Sequence, residues 1–193
     1  MKKLLLFLPC VALFVGCSSN GQSGSGDSSD TKKTDTTASK KSTTETKPAT
    51  SSTGAWTYST DTDKMTSKQR YFVAVEATNK LQFQAPYEGG STGTVTVRTQ
   101  DAKNEVILTI DKGQFVCNMS DGCAINIRFD SDPAIKFTGS EPSDGSSTTL
   151  FIEEAAKFIT QAKKAKKMIV QAEFYESGMQ NMEFTIDGFK WDH

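Results

Sequence analysis

Short hydrophobic runs with a two-residue period fill the chain after residue 70, and that period leaves little room for a helical domain. The runs are "YFVAVEA" (71–77), "TVTVRT" (94–99), "VILTI" (106–110), "QFVC" (114–117), "AINIRF" (124–129), "AIKFTG" (134–139) and "TTLFI" (148–152). They are β-branched or aromatic and several alternate faces, as half-buried strands do. Turn chemistry lies between them: "YEGGSTG" (87–93), Asp111-Lys112-Gly113, Ser120-Asp121-Gly122 and Pro142-Ser143-Asp144-Gly145. Gly and Asp tolerate the backbone angles that tight reversals need. A last hairpin is expected from "MIVQAEFYE" (168–176) and "MEFTIDGF" (182–189) about Ser177-Gly178. The pattern predicts a mainly β fold, an antiparallel β-sandwich or barrel-like domain. Tyr71, Phe115, Phe129, Phe137, Phe174 and Phe184 are expected in its core, with Trp56 and Trp191 closing it.

One α-helix near the C-terminus interrupts the strands. Over Glu153–Lys166, Ala155, Phe158, Ile159 and Ala162 recur at three- and four-residue steps on one face. Glu153 and Glu154 stand at the expected N-terminal end and Lys163, Lys164, Lys166 and Lys167 near the C-terminal end, where they complement the helix dipole. An acidic partner or lipid headgroups for this lysine cluster is the alternative.

The β-domain is expected over 55–193. It carries 15 basic against 19 acidic residues, which argues against a nucleic-acid surface. Before it, residues 18–54 hold 19 Ser or Thr and four Gly, with two Ala as the apolar side chains. Such a stretch cannot bury enough surface to offset its ordering entropy, so a disordered linker is expected there. Five Lys against four acids leave it nearly neutral.

The N-terminus predicts export. Lys2 and Lys3 precede an apolar run, Leu4–Val15, of 12 residues, well short of the roughly 20 a membrane-spanning helix needs. A positive start, an apolar middle and a small residue at the seam are the pattern of a secretory signal peptide, here 1–16. Gly16-Cys17 resembles the lipobox of bacterial lipoproteins. The resemblance implies cleavage before Cys17, its acylation, and a lipidated Cys17 plus linker over 17–54. Two or more acyl chains make a bilayer anchor effectively stable. Ser18 after the cysteine implies, by the enterobacterial pattern, the outer membrane facing the periplasm.

Export also sets the reading of the other thiols, since disulfides persist outside the cytosol. Cys117 and Cys123 flank the Asp121-Gly122 turn, and strands on either side would bring them within disulfide reach. A structural disulfide is expected. A redox Cys-x-x-Cys is absent, and a zinc site would need two more ligands.

The single histidine, His193, ends the sequence, where residues are usually mobile. A His-based triad or His metal cluster therefore lacks its central group. No catalytic residue, metal or cofactor is expected. Asp61 with Asp63, or Asp130 with Asp132, are the carboxylate pairs available to a glycan-cleaving enzyme, but neither has the glycine and distal glutamate of a calcium loop.

The ordered set "DKM" (63–65), "YFVAVEATN" (71–79), "VTVRT" (95–99), "VILTIDKGQFVC" (106–117), "INIRFD" (125–130), "LFIEEAAKFITQAKKAKKMIVQAEFY" (150–175) and "FTIDGFKW" (184–191) resembles the envelope β-domains of the TagO/VasI type, found beside type VI secretion systems. It is similar also to related bacterial lipoproteins. That resemblance implies a β-domain acting by contact and assigns no site residue. The expected function is that of a non-enzymatic lipoprotein, anchored to the bilayer through acylated Cys17, whose tethered domain binds a protein of the envelope or of a secretion system. The alternatives are an inhibitor or phage-exclusion lipoprotein, or a carboxylate-dependent enzyme acting on envelope glycan. The chain lacks the Ser-Gly-x-x-Tyr loop of the lipoprotein lysozyme inhibitors.

Overall fold

A computed structural model describes residues 50–53, 55–118 and 120–193; the expected signal peptide and Cys17 lie outside the described residues. The fold is mainly β with one helix. In chain order the elements are β1 Thr50–Thr53, β2 Trp56–Thr62, β3 Gln69–Glu76, β4 Gly93–Gln100, β5 Lys103–Ile110, β6 Cys123–Phe129, β7 Ile135–Ser140, β8 Thr149–Ile152, α1 Ala155–Ala162, β9 Lys167–Phe174 and β10 Gly178–Thr185. All ten strands join one antiparallel sheet in the order β1-β2-β3-β4-β5-β8-β7-β6-β9-β10.

The two-residue period turns one face of this sheet inward. Register aligns Val73 with Val97, Val97 with Val106 and Val95 with Leu108 in one half. In the other it aligns Ile125 with Phe137, Ile127 with Val170 and Met168 with Phe184. All of these side chains are buried. One apolar face on ten strands can be covered only by folding the sheet over on itself, and the closure is visible at a seam. Thr78 N donates to Glu183 O at 2.7 Å, while Asn79 takes the Glu183 N–H at 2.8 Å and donates to Asn181 O at 2.9 Å. The β10 edge is thus occupied by residues just beyond β3, which removes a template for unwanted pairing. Near the seam a Cβ at Gly93 would lie 2.6 Å from Met182 Sδ, so the close approach of β4 to β10 requires glycine there.

The folded region begins earlier than composition indicates. Thr50–Thr53 lies inside the expected linker, yet its backbone pairs with Trp56–Ser59 as β1; a ladder of amides does not need apolar side chains. "QFVC" is not a strand. Phe115 forms an isolated bridge to Phe174, and the chain then turns into the Cys117–Cys123 loop.

The helix is shorter than expected at both ends. Glu154 is its N-cap, and its carboxylate accepts from Thr138 N at 3.2 Å and pairs with Lys157 at 3.3 Å. After Ala162 the chain leaves the helix because Asp130 accepts from the amides of Lys166 and Lys167, at 3.0 and 2.9 Å, and leads them into β9. No basic residue stands in the last turn, and of the lysine cluster Lys163 is the C-cap while the others follow it. Phe158, Ile159 and Ala162 are buried as predicted, with Phe158 against Phe129 and Phe137 at ring-centroid separations of 5.8 and 6.5 Å. The helix closes one end of the folded sheet.

Candidate functional site: the groove at the helical end

At that end the segment after β10 runs back along β2. Ile186 O accepts from the buried Trp56 Nε1 at 2.9 Å, and Phe189 packs on the Trp56 ring at 4.7 Å. Next, the Lys190 N–H donates to the Tyr58 hydroxyl at 2.8 Å. Trp191 is 3% exposed and donates from Nε1 to Asn104 Oδ1 at 3.1 Å. Asn104 in turn donates from Nδ2 to His193 O at 3.0 Å, and the His193 ring lies on the Tyr71 ring at 3.6 Å, with 10° between the planes. One asparagine thus fixes the tail at two points.

His193 stands between two hollows. One, of about 400 Å³, is bordered by Tyr58, Thr60, Phe72 and Lys190. The other, of about 510 Å³, is bordered by Gln69, Arg70, Thr99, Gln100 and Asp101. Tyr71 and His193 border both. The sheet register builds the floor, since Thr60 lies opposite Tyr71 and Thr99 opposite Asn104. Tyr71 N donates to Thr99 Oγ1 at 3.0 Å, which draws these rows together.

The ionised groups beside the larger hollow pair with one another in part, and Arg70 Nε is buried without a hydrogen-bond partner. Arg70 pairs with Asp61, and with Asp63 at 3.6 Å. The Arg70 hydrogen bond holds the Asp61 carboxyl below its ordinary value. Asp63 is lowered chiefly by the Thr66 N–H, at 2.8 Å, with help from the Thr66 hydroxyl and the Met65 N–H, at 3.0 Å each. Both are carboxylates at neutral pH, shaped to hold the β2–β3 turn rather than to deliver a proton. In the second pair, Asp130 sits at φ 46° with its carboxylate on the Lys166 and Lys167 amides, and the Asp132 N–H donates to Phe129 O at 3.0 Å.

Cys117 and Cys123 form the expected disulfide, Cα–Cα 4.2 Å. Asn118 and Gly122 exchange backbone hydrogen bonds at 2.9 Å beneath it. Gly122 has φ 70°, and a Cβ there would meet Gly139 O at 2.7 Å, so this turn demands glycine. Lys163 pairs with Asp192 of the tail at 3.4 Å.

Reading along the chain missed this groove. His193 was expected to be mobile and is instead stacked; Tyr71 was expected in the core and is half-buried at its rim. The available signal was the close run of Trp191 and His193, two side chains that gain from a platform.

No family model and no curated protein matches this chain. Among solved structures it is similar to that of invasion associated protein B from Bartonella henselae, 13% identical, over 73% of this chain and 89% of that one, with a TM-score of 0.45. A likeness of that degree carries no conclusion about function.

Proposed function

We propose that this chain is an exported lipoprotein of the bacterial envelope, held to a membrane through acylated Cys17, whose β-domain binds another component of the envelope or of a secretion system without catalysing a reaction. The observation that supports the binding role best is the groove divided by His193, in which Tyr71 and a double-anchored tail present a preformed surface. Preformed concave surfaces with a few convergent polar groups are the usual ground for recognition. The carboxylates singled out for catalysis point away from an enzyme, because Asp61, Asp63 and Asp130 are engaged in bonds that shape turns. The membrane half of the proposal rests on the lipobox-like Gly16-Cys17 and the apolar run before it.

Two measurements test these halves separately. Intact-mass analysis of the chain purified from its native host is expected to find a species that starts at Cys17 with added acyl mass; a species that keeps Met1, or lacks lipid mass, contradicts the anchor. Affinity capture from detergent-solubilised envelopes is expected to retain a component with the wild-type chain and lose it when Gln100→Trp fills the groove. Equal retention by the two contradicts the groove as binding surface.

A further inference from the structure

The larger hollow has the volume of a small-ligand site, within the usual range of about 300–1,000 Å³, and its lining selects among ligand chemistries. Gln69, Gln100 and Thr99 contribute amides and a hydroxyl, groups that both donate and accept. Charge is partly cancelled: Arg70 is paired with Asp61 and Asp63, and the rim carries one further residue of each sign, Lys68 and Asp101. Phosphates and carboxylates, which only accept, gain most from uncompensated cations, and the groove offers few. A hydroxylated ring both donates and accepts at nearly every polar position. Beside these groups the Tyr71 and His193 rings cover each other's inner faces, and the exposed His193 ring offers an apolar surface that suits the C–H face of a sugar. The second hollow continues the surface past His193, which leaves room for more than one ring.

A peptide would also bring donors and acceptors, but strand addition requires a free sheet edge. At the hollow Gln69, Arg70 and Tyr71 pair only with β2, and Thr99 and Gln100 only with β5, because the β3–β4 ladder ends at Phe72 and Arg98. Tyr71 N nevertheless donates to Thr99 Oγ1 at 3.0 Å across the gap, which leaves no width for a third strand.

We propose that this groove binds a neutral glycan strand, with sugar rings against the His193 ring, itself backed by Tyr71, and their hydroxyl or acetamido groups on Gln69 and Gln100. The inference rests on the groove being the domain's binding surface and adds the ligand class. Titration of the purified full-length chain in detergent tests it, with the N-acetylglucosamine tetramer chitotetraose and the glucose tetramer maltotetraose as neutral probes and inorganic phosphate as the anion. Tryptophan fluorescence reports binding, since Trp191 adjoins the groove whereas Trp56 is buried against the tail. Saturation by either glycan is expected, with no response to phosphate. His193→Ala is expected to weaken binding about tenfold, and Gln100→Ala about threefold with an unchanged melting temperature. Flat titrations with both glycans at millimolar concentration, a response to phosphate alone, or full affinity in both variants would overturn the glycan assignment. Should the titrations be flat while envelope capture still depends on position 100, the ligand class falls and the binding surface stands.

Discussion

The two ends of the folded sheet are closed in different ways. At the end away from the helix, Phe83, Phe115 and Phe174 converge, with Phe174 at 5.2 Å from the first ring and 4.8 Å from the second. Gly113 has φ 100°, and a Cβ there would strike Phe83 at 2.8 Å; the Cys117–Cys123 bond fixes the adjoining turn. At the helical end Phe158 seals the interior, but the outermost layer is polar: Asn104, Tyr71 and the tail are joined by a few hydrogen bonds and one ring stack. Dispersion and covalent closure stabilise the first end, whereas side-chain hydrogen bonds and aromatic stacking order the second. A surface built to stay open to a ligand belongs at the second, because a dry aromatic cluster leaves nothing for a ligand to meet.

The contrast can be broken by mutation. Phe174→Ala should cost about 3–5 kcal/mol in chemical denaturation, the usual range for a buried aromatic. Replacing both cysteines by serine should cost about 2–2.5 kcal/mol, the chain-entropy value for so short a loop, while leaving Trp191 fluorescence unchanged. Asn104→Ala should cost about 1–2 kcal/mol by removing two hydrogen bonds, and should shift Trp191 emission to the red as the tail loosens. If Asn104→Ala proved as damaging as Phe174→Ala, the distinction between the ends would fail.

The smallest expected effect is a pH response at the β2–β3 turn. Both Asp61 and Asp63 are depressed in the folded chain, so the stability they contribute is fully present above the ordinary value of 3.8 and is lost as pH falls through their lowered folded values. The Thr66 amide resonance should therefore hold its position from neutral pH down to about pH 5 and move only in more acid solution. Movement centred near neutrality would contradict the assignment.

Most of the strands were legible because burial on one face writes a two-residue period into the sequence, as in Val73-Val75, Val95-Val97 and Ile125-Ile127. The disulfide was legible from the turn between its cysteines. β1 was not, since a Ser/Thr segment joins a sheet through its backbone, and the helix limits were misplaced because Asp130, 36 residues before Lys166, ends the helical run. The groove depends on contacts of the same long range: Asn104 meets Trp191 and His193, 87 and 89 positions away. No local pattern encodes such a meeting. The carboxylate pairs drew attention by spacing, and Arg70 and the Thr66 and Lys167 amides engage three of those four side chains, Asp61, Asp63 and Asp130, in bonds that brace turns.

Site-specific photo-crosslinking in intact cells compares the two ends most directly, with the reactive group placed either at position 100 in the groove or at position 177 in the β9–β10 turn. Adducts to an envelope component are expected from position 100 and not from position 177. Adducts from position 177 alone, or equally from the two, would contradict a binding surface at the helical end.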